Sequence, residues 1–113
     1  MQISTEDYKQ AVAIAVAGRV DSSTAPELEN ALKKLVEANK TRIVLDLKGV
    51  EYMSSAGLRA MVSTLKAVKR VNGDLRLACP SPRVEEVLRL AGLTSIFSIY
   101  GSRELAADSF PIA

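Results

Sequence analysis

The sequence has no histidine, no tryptophan and a single cysteine. Each absence closes a class of chemistry. Without histidine there is no imidazole base for a serine or cysteine nucleophile, no histidine phosphorelay and no histidine metal ligand. Cys79 alone makes neither an internal disulfide nor a thiolate zinc site. Gly-x-Ser-x-Gly is missing, and so is a glycine-rich phosphate loop. A Ser–Lys pair survives the elimination, with Lys48 the lysine nearest the serines discussed below. Neither a metal nor a cofactor is expected. Aromatic residues make up only 4%, too few for the stacking platforms that grip single-stranded nucleic acid. Fifteen basic residues against 13 acidic ones give a net charge of +2, which demands neither a nucleic-acid partner nor an anionic membrane. Apolar runs of membrane-spanning length are absent. The opening residues, Met1 to Asp7, are polar and acidic rather than basic and then apolar, so no secretory leader is visible. The expectation is a soluble cytoplasmic domain that does not insert into membranes.

What is present is ordinary globular material, 48% apolar over 113 residues. A chain of that length buries roughly two-thirds of its unfolded surface, enough for one core and one domain over residues 1–113. Val12, Ile14 and Val16 alternate with Ala11, Ala13, Ala15 and Ala17, a period-two strand that is apolar on both faces. Gln2 to Thr5 would pair with it as a short edge strand. Gly18 to Ser23 reads as a loop. Thr24 and Glu27 have capping-box spacing, and Pro26 suits a first helical turn. Leu28, Ala31, Leu32, Leu35 and Val36 then repeat at helical spacing.

Arg42 to Leu47 is a nearly continuous apolar run that suits a strand buried on both faces. Lys48 to Met53 reads as a loop. Leu58, Met61, Val62, Leu65 and Val68 form a second helical stripe, started by Ser54 or Ser55 and stopped at Asn72-Gly73. Leu75 to Cys79 is a further strand. Ser81-Pro82 starts a third helix, with Val84, Val87, Leu88 and Ala91 facing inward. Ile96 to Ile99 would be a last short strand, Ser102 would cap a final helix, and Asp108 to Ala113 looks like a loose tail. The predicted class is therefore α/β. Its order is β-β-α-β-α-β-α-β-α, with a mostly parallel central sheet and an antiparallel N-terminal edge strand.

In such sheets, sites lie beyond the carboxyl ends of strands, where a loop meets a helix N-terminus. Asp46 to Leu58 is such a place. Ser54 and Ser55 put two hydroxyls at a helix start, where unpaired N–H groups and the helix dipole favour negative charge. A phosphate on a serine here would be tolerated. The plain structural role of either serine is an N-cap. Asp21 has turn chemistry as its plain role. Arg59, Lys66 and Arg70 fall roughly on one helix face, either solvated or aimed at an acidic partner surface. Tyr52 and Met53 would be interface anchors if exposed, and packing under the helix if not.

The stretch Met53-Ser54-Ser55-Ala56-Gly57-Leu58, preceded by Ile43 to Leu47 and Val50, resembles the signature of the STAS domain. Gly18 to Asp21 and Ala25 to Leu28 are similar to that family's first loop and helix, and the element order matches over nearly the whole chain. The resemblance implies an anti-sigma factor antagonist, not an enzyme. The unphosphorylated form would bind an anti-sigma factor that is also a serine kinase, freeing sigma factor. That kinase would phosphorylate the serine two residues before the Gly-Leu pair, here Ser55, and a serine phosphatase would reset it. Ser54 is a competing acceptor, because it stands where many members carry Asp. The resemblance also implies a partner surface of Asp21, Ser22, Ser23, Tyr52, Met53, Ser54, Ala56, Gly57, Leu58 and Arg59. A monomer is expected, and nucleotide binding near Asp21 and Ser55 would be weak at most. The family's other stand-alone use is as a structural subunit of an ABC-type lipid transport complex, and the lost Asp leaves that reading open.

Overall fold

The structure is a computed structural model that describes residues 1–112. The expected element order holds. β1 (Gln2–Asp7) and β2 (Val12–Val20) pair antiparallel, and α1 (Ala25–Glu37) leads to β3 (Arg42–Met53). Then follow α2 (Ser55–Lys69), β4 (Asp74–Ala78), α3 (Pro82–Leu90), a 3-10 turn at Leu93–Ser95, β5 (Ile99–Tyr100) and α4 (Arg103–Asp108). The sheet runs β1-β2-β3-β4-β5, with every pair after the first parallel.

Alternation along the strands divides the core in two. Ile14, Val16, Leu45 and Leu77 face α1, α2 and α3 and build the larger cluster with Leu28, Leu32, Met61, Val84 and Leu88. On the opposite face Ala13, Val44 and Ala78 meet Ala106, Ala107 and Phe110. Burying one large aliphatic side chain contributes roughly 1.5–3 kcal/mol, so the first cluster dominates stability. The second face offers mostly small side chains, and the short α4 packs on it.

An ionic network also holds α4. Arg103 donates to Asp46 Oδ2 from Nε at 2.9 Å and to Glu6 Oε1 at 2.7 Å, tying the helix to β3 and β1. Burial opposes the charge on Arg103, but its hydrogen bonds to Asp46 and Glu6 outweigh that and raise its pKa. The same arginine lowers the pKa of Glu6. The Tyr8 hydroxyl lies 3.1 Å from Glu6 and 3.3 Å from Glu104, and can donate to one of them at a time. Burial and the neighbouring Glu6 push its pKa up to about 12.

Several local expectations need correction. Lys48 to Met53 is strand, not loop. Two register irregularities, between Ala15 and Ala17 and between Gly18 and Arg19, break the two-residue period. Only Val50 and Met53 of that stretch are buried, so no alternation is visible in the sequence. Gly49 allows this close pairing, since a Cβ there would lie 2.8 Å from Ala17 Cβ. For the same reason Gly18 to Val20 belongs to β2 rather than to a loop. Ile96 to Ser98 is not strand, because the 3-10 turn delays β5 to Ile99. Ala91 lies beyond α3 and is exposed. Asn72 takes the left-handed backbone expected after α2 (φ 64°). Cys79 is half-buried, with its thiol donating to the Gly101 carbonyl at 3.2 Å.

The tail is anchored at Phe110 rather than loose, and its last residue, Ala113, lies outside the described residues. Phe110 is only 3% exposed, and the Arg76 guanidinium sits 4.2 Å from its ring centroid. Phe110→Ala should therefore lower stability by about 3 kcal/mol, seen as a lower urea midpoint at unchanged slope. A loss within about 0.5 kcal/mol, the range of an ordinary surface change, would show that the tail is not anchored there.

Candidate functional site

β2 and β3 run past the end of β4, whose last partner on β3 is Asp46. Their projecting ends form a platform beside the start of α2. Three observations fix that joint. The Ser54 N–H donates to the Val20 carbonyl at 2.8 Å. Gly57 rests on Val20 and Met53, where a Cβ would collide with Met53 Sδ and lie 2.7 Å from Val20 Cγ1. Asp21 follows Val20 directly, so the loop before α1 stands beside the helix start.

The two serines differ. Ser54 is the N-cap in extended backbone, and its hydroxyl accepts from the Gly57 N–H at 3.3 Å. It is half-buried. Ser55 is the first helical residue, is exposed, and has no side-chain hydrogen bond among the described residues. Its hydroxyl is free, at a helix end whose first turn carries no carboxylate. Negative charge is favoured at such an end.

The neighbouring loop is organised by Asp21. Its Oδ1 accepts from the Ser23 hydroxyl at 2.7 Å, the Ser23 N–H at 3.0 Å and the Thr24 N–H at 3.1 Å. These bonds, the Ser23 hydroxyl first, hold the carboxyl pKa below the usual range for Asp. Thr24 therefore does not cap α1 with its side chain. Its hydroxyl instead accepts from the Asp21 N–H and donates to the Arg19 carbonyl, both at 2.9 Å. Ser22 is exposed at the tip.

On the platform Tyr52 is 37% exposed, and the Arg19 guanidinium stacks 4.5 Å from its ring centroid. Met53 and Gly57 are buried and support the surface from beneath, while Ala56 and Leu58 are half-buried and Arg59 is exposed. Arg19 was not singled out from the sequence as a site residue, because a cross-strand stack depends on a register that β-bulges conceal. Lys48 lines clefts with Asp46 and Arg103, apart from the cleft that Ser55 lines, so the Ser–Lys pairing is not assembled here. No group of three or more potential metal ligands gathers among the described residues, and none of their helices is long and apolar enough to cross a membrane.

The STAS domain model matches residues 2–106. BtrV of Bordetella bronchiseptica is 36% identical over 113 residues, covering 100% of this chain and 97% of that protein. The anti-sigma-B factor antagonist of Staphylococcus aureus is 29% identical over 105 residues, with 93% and 97% covered. The crystal structure of an anti-sigma factor antagonist from Mycobacterium paratuberculosis superposes with a TM-score of 0.88 at 27% identity, covering 96% of this chain and 92% of that one.

Two measurements probe the joint. Gly57→Ala should cost about 1–3 kcal/mol, because Val20 and Met53 must move aside; an unchanged denaturation midpoint would mean the contact is not tight. The Asp21 carboxyl should titrate below the ordinary value of about 4, and Ser23→Ala should raise it in a carbon-detected NMR titration. Because the folded pKa is the lower one, this carboxylate adds stability above the ordinary Asp range. That contribution fades as pH falls through the folded value.

Proposed function

The chain belongs to the STAS domain family, and on that premise we propose that it is an anti-sigma factor antagonist switched at Ser55. In its unphosphorylated form it binds an anti-sigma factor that is also a serine kinase, and sigma factor is released. Phosphorylation of Ser55 ends the complex, and a serine phosphatase restores it. The chain is substrate and binding module, and the chemistry is its partner's. The cytoplasm is where such a switch works.

One observation carries the choice of acceptor. Ser54 already spends its hydroxyl on the Gly57 N–H, whereas the Ser55 hydroxyl is exposed and unengaged. Moving Ser54 into a kinase would uncap α2 at a cost of about 1 kcal/mol. Ser55 can be phosphorylated without disturbing a cap. The contact surface on this reading is Asp21 to Ser23, Tyr52 and the exposed parts of Ser54 to Arg59. A doubly charged group at its centre opposes docking through desolvation and like-charge terms.

The test is a paired capture from lysate of cells that naturally express the protein, with wild type, Ser55→Asp and Ser55→Ala as baits. Wild type and Ser55→Ala should retain a kinase-like anti-sigma factor, and Ser55→Asp should bind it at least about tenfold more weakly, about 1.4 kcal/mol. With ATP, mass spectrometry should find the phosphate on Ser55 of the wild type and not on Ser54. If all three baits instead retain the same transporter ATPase, the phosphoswitch is wrong and the protein is a structural subunit of lipid transport.

A further inference from the structure

A groove of about 530 Å³ runs from Ser55 along α2 towards the turn after α3. Leu58 and Val62 from α2 and Ala91 and Leu93 from the far side line it, with Arg59 and Lys66 among its polar residues and no carboxylate. Leu90 and Ile96, in the segments flanking Leu93, are 72% and 47% exposed. The positive sign extends over the whole helix. All of α2, Ser55–Lys69, contains three cations and no acidic residue, whereas α1 and α3 each mix both signs. Lys69 is occupied by Asp74 at 3.4 Å. Arg59 and Lys66 are in no ion pair among the described residues.

We infer that this groove receives a segment of the anti-sigma factor kinase that combines an apolar face with carboxylates. The inference rests on the function proposed above and assigns the partner's chemistry at that same site. The apolar lining supplies area, and the two free cations supply sign and register. It also gives the phosphate a second mode of action. Ser55 and Arg59 are one turn apart, at the spacing where helix side chains meet. A phosphate on Ser55 would pair with Arg59 inside the chain, withdrawing one of the two cations the segment needs. It would also set a double negative charge at the mouth of a groove that selects carboxylates.

The test titrates the purified kinase against wild type, Ser55→Asp, Lys66→Glu, Val62→Ser and, as a control away from the groove, Lys33→Glu on α1. Circular dichroism first establishes that each variant is folded. Lys66→Glu should weaken binding about tenfold or more while Lys33→Glu stays within about twofold of wild type. Wild-type affinity should fall as salt rises from about 50 to about 500 mM, with a shallower fall for Lys66→Glu. Val62→Ser should weaken binding with the salt dependence kept. If Ser55→Asp releases the kinase but Lys66→Glu and Val62→Ser bind like wild type, the groove assignment is wrong and the switch stands. If Ser55→Asp binds like wild type, the switch itself fails. Sedimentation across a concentration series completes the set: a wild-type dimer abolished by Val62→Ser would make the groove's occupant a second copy and overturn the inference.

Discussion

The candidate site depends on one close approach, the seat of Gly57 on Val20 and Met53. Val20 serves three purposes there. Its side chain lies under the first turn of α2, its carbonyl takes the Ser54 N–H, and the chain leaves it into the Asp21 loop. A side chain at position 57 would lift α2 and separate the serines from the loop. The exposed serine thus stands on a floor that is itself buried and hydrogen-bonded. That is how an accessible group is held in one geometry without being covered.

The two faces of the sheet divide the remaining work. The face under α1, α2 and α3 carries the large aliphatic residues, and α2 packs into that larger cluster through Met61, Leu65 and Val68. The alanine face contributes less area, and α4 compensates with charge. Arg103 answers both Asp46, which is 7% exposed, and Glu6. Removing that arginine would leave a buried carboxylate without its counter-ion, a costly state. The ionic clamp and the candidate site therefore share β3 but use different stretches of it, Asp46 and Tyr52–Met53, and the clamp draws on no residue of α2.

Much of this was legible in the sequence. Period-two and 3.6-residue patterns gave the order of strands and helices, and Ser81 and Ser102 mark helix starts that the structure keeps, each hydroxyl accepting from the N–H three residues on. The strand ends were not legible, because bulges cancel the alternation that identifies a strand. The Thr24–Glu27 capping box was a sound local pattern, but Asp21 offered three closer hydrogen bonds and took over the turn. Phe110 was hidden by its position, since nothing local announces that a terminal residue meets Arg76. At the site, the motif offers two adjacent serines, and the local sequence does not show that only one of them turns its hydroxyl towards the Gly57 N–H. Leu58 and Val62 read as plain core stripe. That they also border an open groove depends on Leu93, which comes from a turn with no periodicity.

β1 forms one margin of the sheet, with a row of backbone donors and acceptors facing outward. Its side chains at Ser4, Thr5, Glu6 and Asp7 are exposed and polar. Both carboxylates are engaged, Glu6 by Arg103 and Asp7 by Lys40 at 3.1 Å. Extending the sheet with a foreign strand would strip water from these groups and compete with their cations. Short charged margins are a known defence against strand-to-strand polymerisation. The chain is thereby kept from the irreversible association that an open sheet edge invites.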